Sequence, residues 1–459
     1  MTDKNKYLYP VTPETIHKYA ASIFTPILRG ESVTTVWVPM AGRRMWTKFL
    51  IENPELFEKE LPNYTKYMMV YIEPLDLTEE SLAGYLRLIG KSFLDRCRTM
   101  GDCYQKLGSD GELAIFDDET ASYPRLLEAL KKCFRKAADE GYEVLLFLGE
   151  FDELSFTSPI FYNNLRSLWG SLSSRLHYIF LMREDITDQE KITRWGDLTE
   201  LVLQNVVYIS LLNAKDASYV TEKISEELGV SLSEEEKTLL SQLFGGHPYM
   251  IRVGVRVVDK ADGERHSLED LKKLLLGYYE LKSVARGVFD VQTAEAKEHL
   301  KSIADGQKVT DQPESIVFLR KMGLISKDNQ GHTMVFGELF KQAILGTKNG
   351  GTKAIQAPSN GDLKADEQTG AVVFNGRTVE EKFTRQEYLI LSAFLQKTNT
   401  LFTRDDIGDI LWGKQAYEKY SDWAIDQVIS KLRKKLEILG SKGNLLTVKG
   451  KGYKFVTSS

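Results

Sequence analysis

The chain has 459 residues, 42% hydrophobic and 27% charged, which is enough apolar material for two or more packed domains. No run of about 18 apolar residues occurs and Met1-Thr-Asp-Lys-Asn-Lys has no apolar signal core, so neither a membrane span nor a secretory leader is expected and a cytoplasmic location is. Cys97, Cys103 and Cys133 fit neither a disulfide framework nor a zinc pattern, and the net charge of −5 is unevenly spread. From Pro358 onward there are 16 Lys and Arg against 13 Asp and Glu; from Lys431 onward there are eight against one. Positive charge packed into the last 29 residues of an acidic protein points to a polyanionic partner, although a solvated charged face gives the same count.

In chain order, short apolar runs at Val33–Val38, Met68–Ile72, Val144–Leu148, Tyr178–Met182 and Val206–Leu211 alternate with helical patterns such as Leu82–Arg98 and Tyr123–Glu140. Buried strands separated by helices predict a parallel α/β sheet. From about Ala214 to Leu345 helices take over, and Gly346 through Gly361, rich in Gly, Asn, Ser and Pro, reads as a flexible linker. The expected boundaries are 1–213 for the sheet domain, 214–287 for a helical lid, 288–346 for a winged-helix-like domain, 347–361 for the linker and 362–459 for the last domain.

Val33–Val38 runs through Pro39-Met-Ala-Gly-Arg-Arg-Met45 into a helix, the strand–loop–helix layout of a phosphate-binding P-loop. Aligned on Gly42, Trp37 stands at the first glycine, Arg43 at the lysine and Arg44 at the hydroxyl that holds magnesium. Val144-Leu-Leu-Phe-Leu-Gly-Glu-Phe-Asp-Glu153 resembles a Walker B strand with Gly149 in place of the magnesium-binding aspartate and Glu150 where a catalytic base would stand. With Gly245-Gly-His-Pro-Tyr-Met-Ile251 and Phe318-Leu-Arg-Lys-Met-Gly-Leu-Ile325, the order over roughly residues 15–345 resembles AAA-like and STAND ATPases with a lid and a following winged helix. The departures imply that magnesium lacks a protein ligand and that hydrolysis is lost or negligible. The same resemblance makes Gly42, Arg43, Arg44 and Glu150 candidate nucleotide- or anion-binding residues, for ATP or ADP without hydrolysis; the competing reading makes Arg43 and Arg44 surface ion-pair partners. His247 reads as a helix-cap residue, and Asp76, Asp117, Asp118 and Asp152 do not form a receiver-domain acidic pocket.

In the last domain, Thr384-Arg-Gln-Glu387 reads as a capping box opening a helix with Tyr388, Leu391, Phe394 and Leu395 on one face. Thr403–Leu411 is a second helix, and Ser421 caps a third with a buried stripe of Ile425, Ile429, Leu432 and Leu436. Its other face carries Trp423, Gln427, Ser430, Lys431 and Lys434, with Arg433 at the flank, and Thr447–Phe455 reads as a tight basic hairpin.

Residues 363–456 resemble the OmpR/PhoB-type winged-helix domain of bacterial transcriptional regulators. The resemblance rests on Val372-Val-Phe-Asn-Gly376, the Thr-x-x-Glu start, Trp412-Gly413, Leu432-Arg-Lys-Lys-Leu436 and Thr447-Val-Lys-Gly-Lys-Gly-Tyr453, in that order. It implies that 421–438 lies in the major groove of double-stranded DNA and that 446–456 is a wing. Gln427 and Lys431 would then face base edges, Arg433 and Lys434 phosphates, and Lys449 the minor groove, with Trp423, Ser430 and Lys451 completing the DNA-binding set. Trp423 and Ala424 replace the usual polar pair at the start of that helix, which leaves base preference open.

The expectation is therefore a multidomain protein, an α/β P-loop NTPase-like module plus a C-terminal winged helix. It would act as a DNA-binding transcription regulator, a homodimer or higher oligomer on DNA, with a protein or small-molecule signal as input. Two other readings stay open: an active ATP-dependent switch with Arg43 in place of lysine, and an interaction scaffold that binds DNA without sequence preference.

Overall fold

A computed structural model describes residues 9–346 and 363–457, apart from residues 78, 101–102, 108–112, 185, 187–188, 262–266, 329, 366–371, 375–376, 379–382, 413–421, 440–442 and 449–450. The linker expected at 347–361 lies outside the described residues. The chain forms two compact units, Met1–Asn349 and Gly350–Ser459.

In the first unit, β1 (Val33–Trp37), β2 (Tyr67–Ile72), β3 (Glu143–Leu148), β4 (Leu176–Met182) and β5 (Val206–Ile209) form one sheet in the order β2-β3-β4-β1-β5. Every pairing is parallel. The continuous apolar runs follow from this, because β1 to β4 are buried along nearly their whole length and covered by helices. Helix Leu82–Arg98 packs on β2, Tyr123–Asp139 on β3, and Pro13–Leu28 on β1 and β5. Strand β5 stops at Ile209, two residues before the apolar run ends, as Leu211 turns to donate its backbone N–H to the Met322 carbonyl at 3.0 Å.

The helices Ala214–Leu228, Glu234–Phe244, Pro248–Ala261 and Leu268–Gly277 follow. Then come Tyr279–Asp290, Ala294–Ala304 and Glu314–Lys321, an antiparallel hairpin of β6 (Ile325–Lys327) and β7 (Thr333–Val335), and helix Glu338–Leu345. Asp216, 1% exposed, ties this helical region to the chain start by accepting hydrogen bonds from the Thr12 hydroxyl at 2.5 Å and the Thr15 hydroxyl at 2.8 Å. No helix among the described residues is long and apolar enough to cross a membrane.

The second unit opens with an antiparallel sheet in the order β10-β9-β8, formed by β8 (Leu363–Ala365), β9 (Val372–Phe374) and β10 (Arg377–Thr378). Helices Arg385–Gln396, Arg404–Trp412 and Asp422–Ile438 follow, with β11 (Leu401–Phe402) between the first two. A hairpin of β12 (Gly443–Val448) and β13 (Gly452–Thr457) closes the unit in a second sheet, ordered β11-β13-β12. Three helices followed by a β-hairpin make this a winged helix. The Thr384–Glu387 capping box forms with both reciprocal bonds, and Thr403 caps the second helix with Asp406 in the same manner. Leu391, Phe394, Leu432 and Phe455 are all at most 1% exposed and join helices and hairpin in one core.

Candidate functional site

In an open parallel sheet, ligands bind beyond the carboxyl ends of the strands where the strand order reverses. Here β1 lies between β4 and β5, so the loops after β1, β3 and β4 converge. They carry the candidate residues Gly42, Arg43 and Arg44, then Glu150, and also Arg183. Gly42 caps the helix Arg43–Glu52 in a left-handed conformation, and Met40 in the same loop also has a positive φ of 60°. Trp37, 3% exposed, packs edge-on against Trp46 at 5.6 Å.

His247 joins the loop to the helical region. Its Nδ1 accepts from the Met250 backbone N–H at 3.4 Å, so Nε2 carries the hydrogen and donates to the Pro39 carbonyl at 3.0 Å. The expected cap is therefore present, and its second nitrogen fastens the loop after β1.

Arg43 is only 7% exposed, and its guanidinium donates to Glu150 Oε1 at 2.8 Å. The same oxygen accepts from Arg183 at 2.5 Å, and Arg183 reaches Glu153 at 2.6 Å. Arg44 pairs with Glu73 at 2.5 Å, which also accepts from the Tyr71 hydroxyl at 2.8 Å. Both arginines are thus held by internal carboxylates; Arg43 forms a buried pair rather than the surface pair considered from the sequence.

Burial alone would raise the Glu150 pKa, but Arg183, Arg43 and Arg44 together hold it below the ordinary carboxylate value, so it stays charged. Burial, with the neighbouring Glu150 and Asp152, pushes Glu153 up to about 7 even though Arg183 opposes the shift. Arg183 is shared between the two glutamates.

At Gly149, which the sequence resemblance aligns with a magnesium-binding aspartate, the space is closed as well. A Cβ at Gly149 would lie 2.9 Å from the Ile72 carbonyl oxygen and 3.2 Å from both Pro74 and the Tyr71 ring. Among the described residues, no group of three or more His, Cys, Asp or Glu is placed to hold a metal ion. A magnesium nucleotide triphosphate does not fit these residues: Glu150 already neutralises Arg43, and an aspartate at 149 has no room.

These shifts give stability two opposing pH limits. Glu153 binds its proton more tightly folded than unfolded, so its contribution falls as pH rises from about 4.5 to about 7. Glu150 is depressed, so its contribution is present above the unfolded pKa and lost as pH falls through the folded one. Glu153→Gln should therefore make the urea midpoint of the first unit fall less, relative to wild type, between about pH 4.5 and 7. An unchanged profile in that variant would contradict the assignment.

In the second unit the long helix Asp422–Ile438 buries Ile425, Val428, Ile429, Leu432 and Leu436 and exposes Ser430, Lys431 and Lys434 on another face. Lys451, in the hairpin turn, is also exposed. The side chains of Trp423 and Gln427, and the whole of Lys449, lie outside the described residues.

Arg433, expected at a phosphate, is engaged within the unit. Its Nε donates to the Leu445 carbonyl at 2.7 Å and its guanidinium also donates to the Thr447 hydroxyl at 2.7 Å. Lys435, part of the same basic run, pairs at 2.8 Å with Glu387, which is 2% exposed and also closes the capping box. Sequence reasoning gave neither Lys435 nor the anchoring carboxylate Glu73 a role; nothing local marks pairs so distant in sequence.

Residues 378–455 match the family described as transcriptional regulatory protein, C terminal. The response regulator protein GraR of Staphylococcus haemolyticus (strain JCSC1435) is 36% identical over 70 residues, which is 15% of this chain and 30% of that protein. The second unit is thus a transcriptional regulatory C-terminal domain of the OmpR/PhoB winged-helix type, and the chain matches less than a third of that relative's length.

Among solved structures, a Walker-type ATPase of Pyrococcus abyssi is similar with 12% identity and a TM-score of 0.45, covering 72% of this chain and 95% of that one. The ORC1 protein of Aeropyrum pernix, in complex with DNA, is similar with 13% identity and a TM-score of 0.41, covering 76% of this chain and 95% of that one. The first unit is a five-stranded parallel sheet with helices.

Proposed function

We propose that this chain is a transcription regulator that grips duplex DNA through its winged helix, with an ATPase-like module that has lost hydrolysis and controls how the DNA-binding unit is presented. The observation carrying the DNA reading is the polar face of Asp422–Ile438, where Ser430, Lys431 and Lys434 are exposed opposite an apolar stripe. A helix of this kind enters the major groove, where base edges are distinct; a hairpin beside it reaches the backbone or minor groove. One such unit makes few contacts, so pairing on two half-sites accompanies specific binding.

The loss of hydrolysis is supported by the Arg43–Glu150–Arg183 network and the closed position at Gly149. Phosphoryl transfer depends on positioning and on charge neutralisation by lysine and metal. Here the residue at the lysine position is already neutralised from within. On this reading the lid begins near Ala214, the first winged helix spans 288–346, and the sheet module serves as a sensor or assembly unit rather than an engine.

Selection of bound duplexes from a random pool tests the DNA reading. Lys431→Ala should relax base preference at one position, by about 1–3 kcal/mol of discrimination. An unaltered preference would remove Lys431 from the base-reading face.

A further inference from the structure

Arg433 of the long helix is bonded to the hairpin of the second unit. Strand β12 is the outer strand of the β11-β13-β12 sheet and, among the described residues, pairs only with β13. Its free edge needs a partner for its carbonyls. Arg433 supplies one by donating from Nε to the Leu445 carbonyl, and a second guanidinium nitrogen holds the Thr447 hydroxyl two residues along, both at 2.7 Å. The guanidinium also lies 5.9 Å from the centre of the Tyr453 ring, on the opposing strand, while Arg404 lies 5.6 Å from the same ring. Tyr453 is 3% exposed and pairs with Thr447, one pair before Val448 and Gly452 close the hairpin, so these contacts hold its buried side close to the turn.

The geometry points to Arg433 as a positioning residue for DNA binding: it locks the wing at one angle to the face that carries Ser430, Lys431 and Lys434. The inference rests on the reading that this face and the wing engage one duplex. A hairpin joined to its helix only through apolar contacts can rock, and a duplex must then stop that motion on binding, which weakens affinity. Two bonds made by one rigid, planar group to two acceptors on a single strand fix both distance and tilt. Lysine carries the same charge but presents no rigid fork, so it cannot reproduce the pair. The adjacent Lys434 is exposed and suits a phosphate, whereas Arg433 acts through the wing.

The test uses the full chain with Arg433→Lys, Thr447→Ala, Lys451→Ala and the Arg433→Lys/Lys451→Ala double variant. Without DNA, amide hydrogen exchange over 445–448 should accelerate about tenfold or more in Arg433→Lys, and less in Thr447→Ala, with the rest of the domain unchanged. On a mixed-sequence duplex, Arg433→Lys should bind about five- to tenfold more weakly although its charge is kept. Lys451→Ala should cost clearly less affinity in the Arg433→Lys background than in the wild type, because the wing is already misplaced.

Wild-type exchange, affinity and salt dependence in Arg433→Lys would overturn the proposal and return Arg433 to the role of a simple phosphate contact. Strictly additive losses in the double variant would overturn it too. Should Lys431→Ala and Lys451→Ala both leave wild-type binding unchanged, the DNA face itself is wrong and the coupling falls with it; faster exchange in Arg433→Lys would then still show the clamp as a feature of the free protein.

Discussion

Glu150→Gln should destabilise the first unit by about 3 kcal/mol or more, the usual consequence of removing one partner from a buried ion pair. Glu150 is 16% exposed and is the carboxylate to which both Arg43 and Arg183 donate. Without its charge, Arg183 keeps Glu153 at 2.6 Å, but Arg43 keeps only a long contact of 3.5 Å to the Leu181 carbonyl. The guanidinium left behind is 7% exposed and loses most of its compensation. Thermal or urea midpoints would measure the loss. Arg29→Ala, which breaks an exposed pair with Glu31, should leave them where they are. A Glu150→Gln midpoint equal to wild type would mean that the network contributes nothing net and that Arg43 is open to other anions.

Gly452→Ala should disable the second unit, lowering its stability by about 3 kcal/mol and its duplex binding with it. Gly452 has φ of 137°, and an added Cβ would lie 2.0 Å from the Phe402 carbonyl oxygen and 2.9 Å from the Thr403 Cα. Those are backbone atoms, so β11 and β13 must separate, and Phe402 is packed at 5.0 Å against Phe394 of the core. Gly141→Ala is the matched control: its φ is 89°, yet nothing lies within 4 Å of the added Cβ, so only the strained backbone is felt, about 1 kcal/mol. Equal effects of the two substitutions would show that conformation, not the clash with β11, governs the hairpin.

Both predictions depend on contacts that the sequence announces unequally. The parallel sheet was legible because strands buried on both faces must be apolar throughout, as in Val144-Leu-Leu-Phe-Leu148. Helix Leu82–Arg98 was legible to the residue, and Ser81, which the sequence reading did not single out, caps it by accepting from the Gly84 N–H at 3.0 Å. Strand β11 was not: two residues, Leu401 and Phe402, carry no alternation to read.

The candidate site was legible in position but not in use. Gly42, Arg43 and Glu150 were expected together and are together, yet whether Arg43 holds a ligand or Glu150 depends on how close β3 brings the carboxylate. Arg433 and Lys434 are adjacent cations of one run, and only the place of β12 decides that the first turns to the hairpin while the second stays exposed. The glycine at 149 reads as a lost magnesium ligand, while the Tyr71 and Pro74 that close the space come from a strand and loop more than 70 residues earlier.

Contact between DNA and the exposed face of Asp422–Ile438 is read out by the salt dependence of duplex binding. The full chain should bind a mixed-sequence duplex with affinity that falls steeply and log-linearly with salt, and Lys434→Ala should weaken every sequence alike and flatten that slope by about one unit. A slope that does not change in Lys434→Ala would place the DNA-binding face elsewhere and contradict the account.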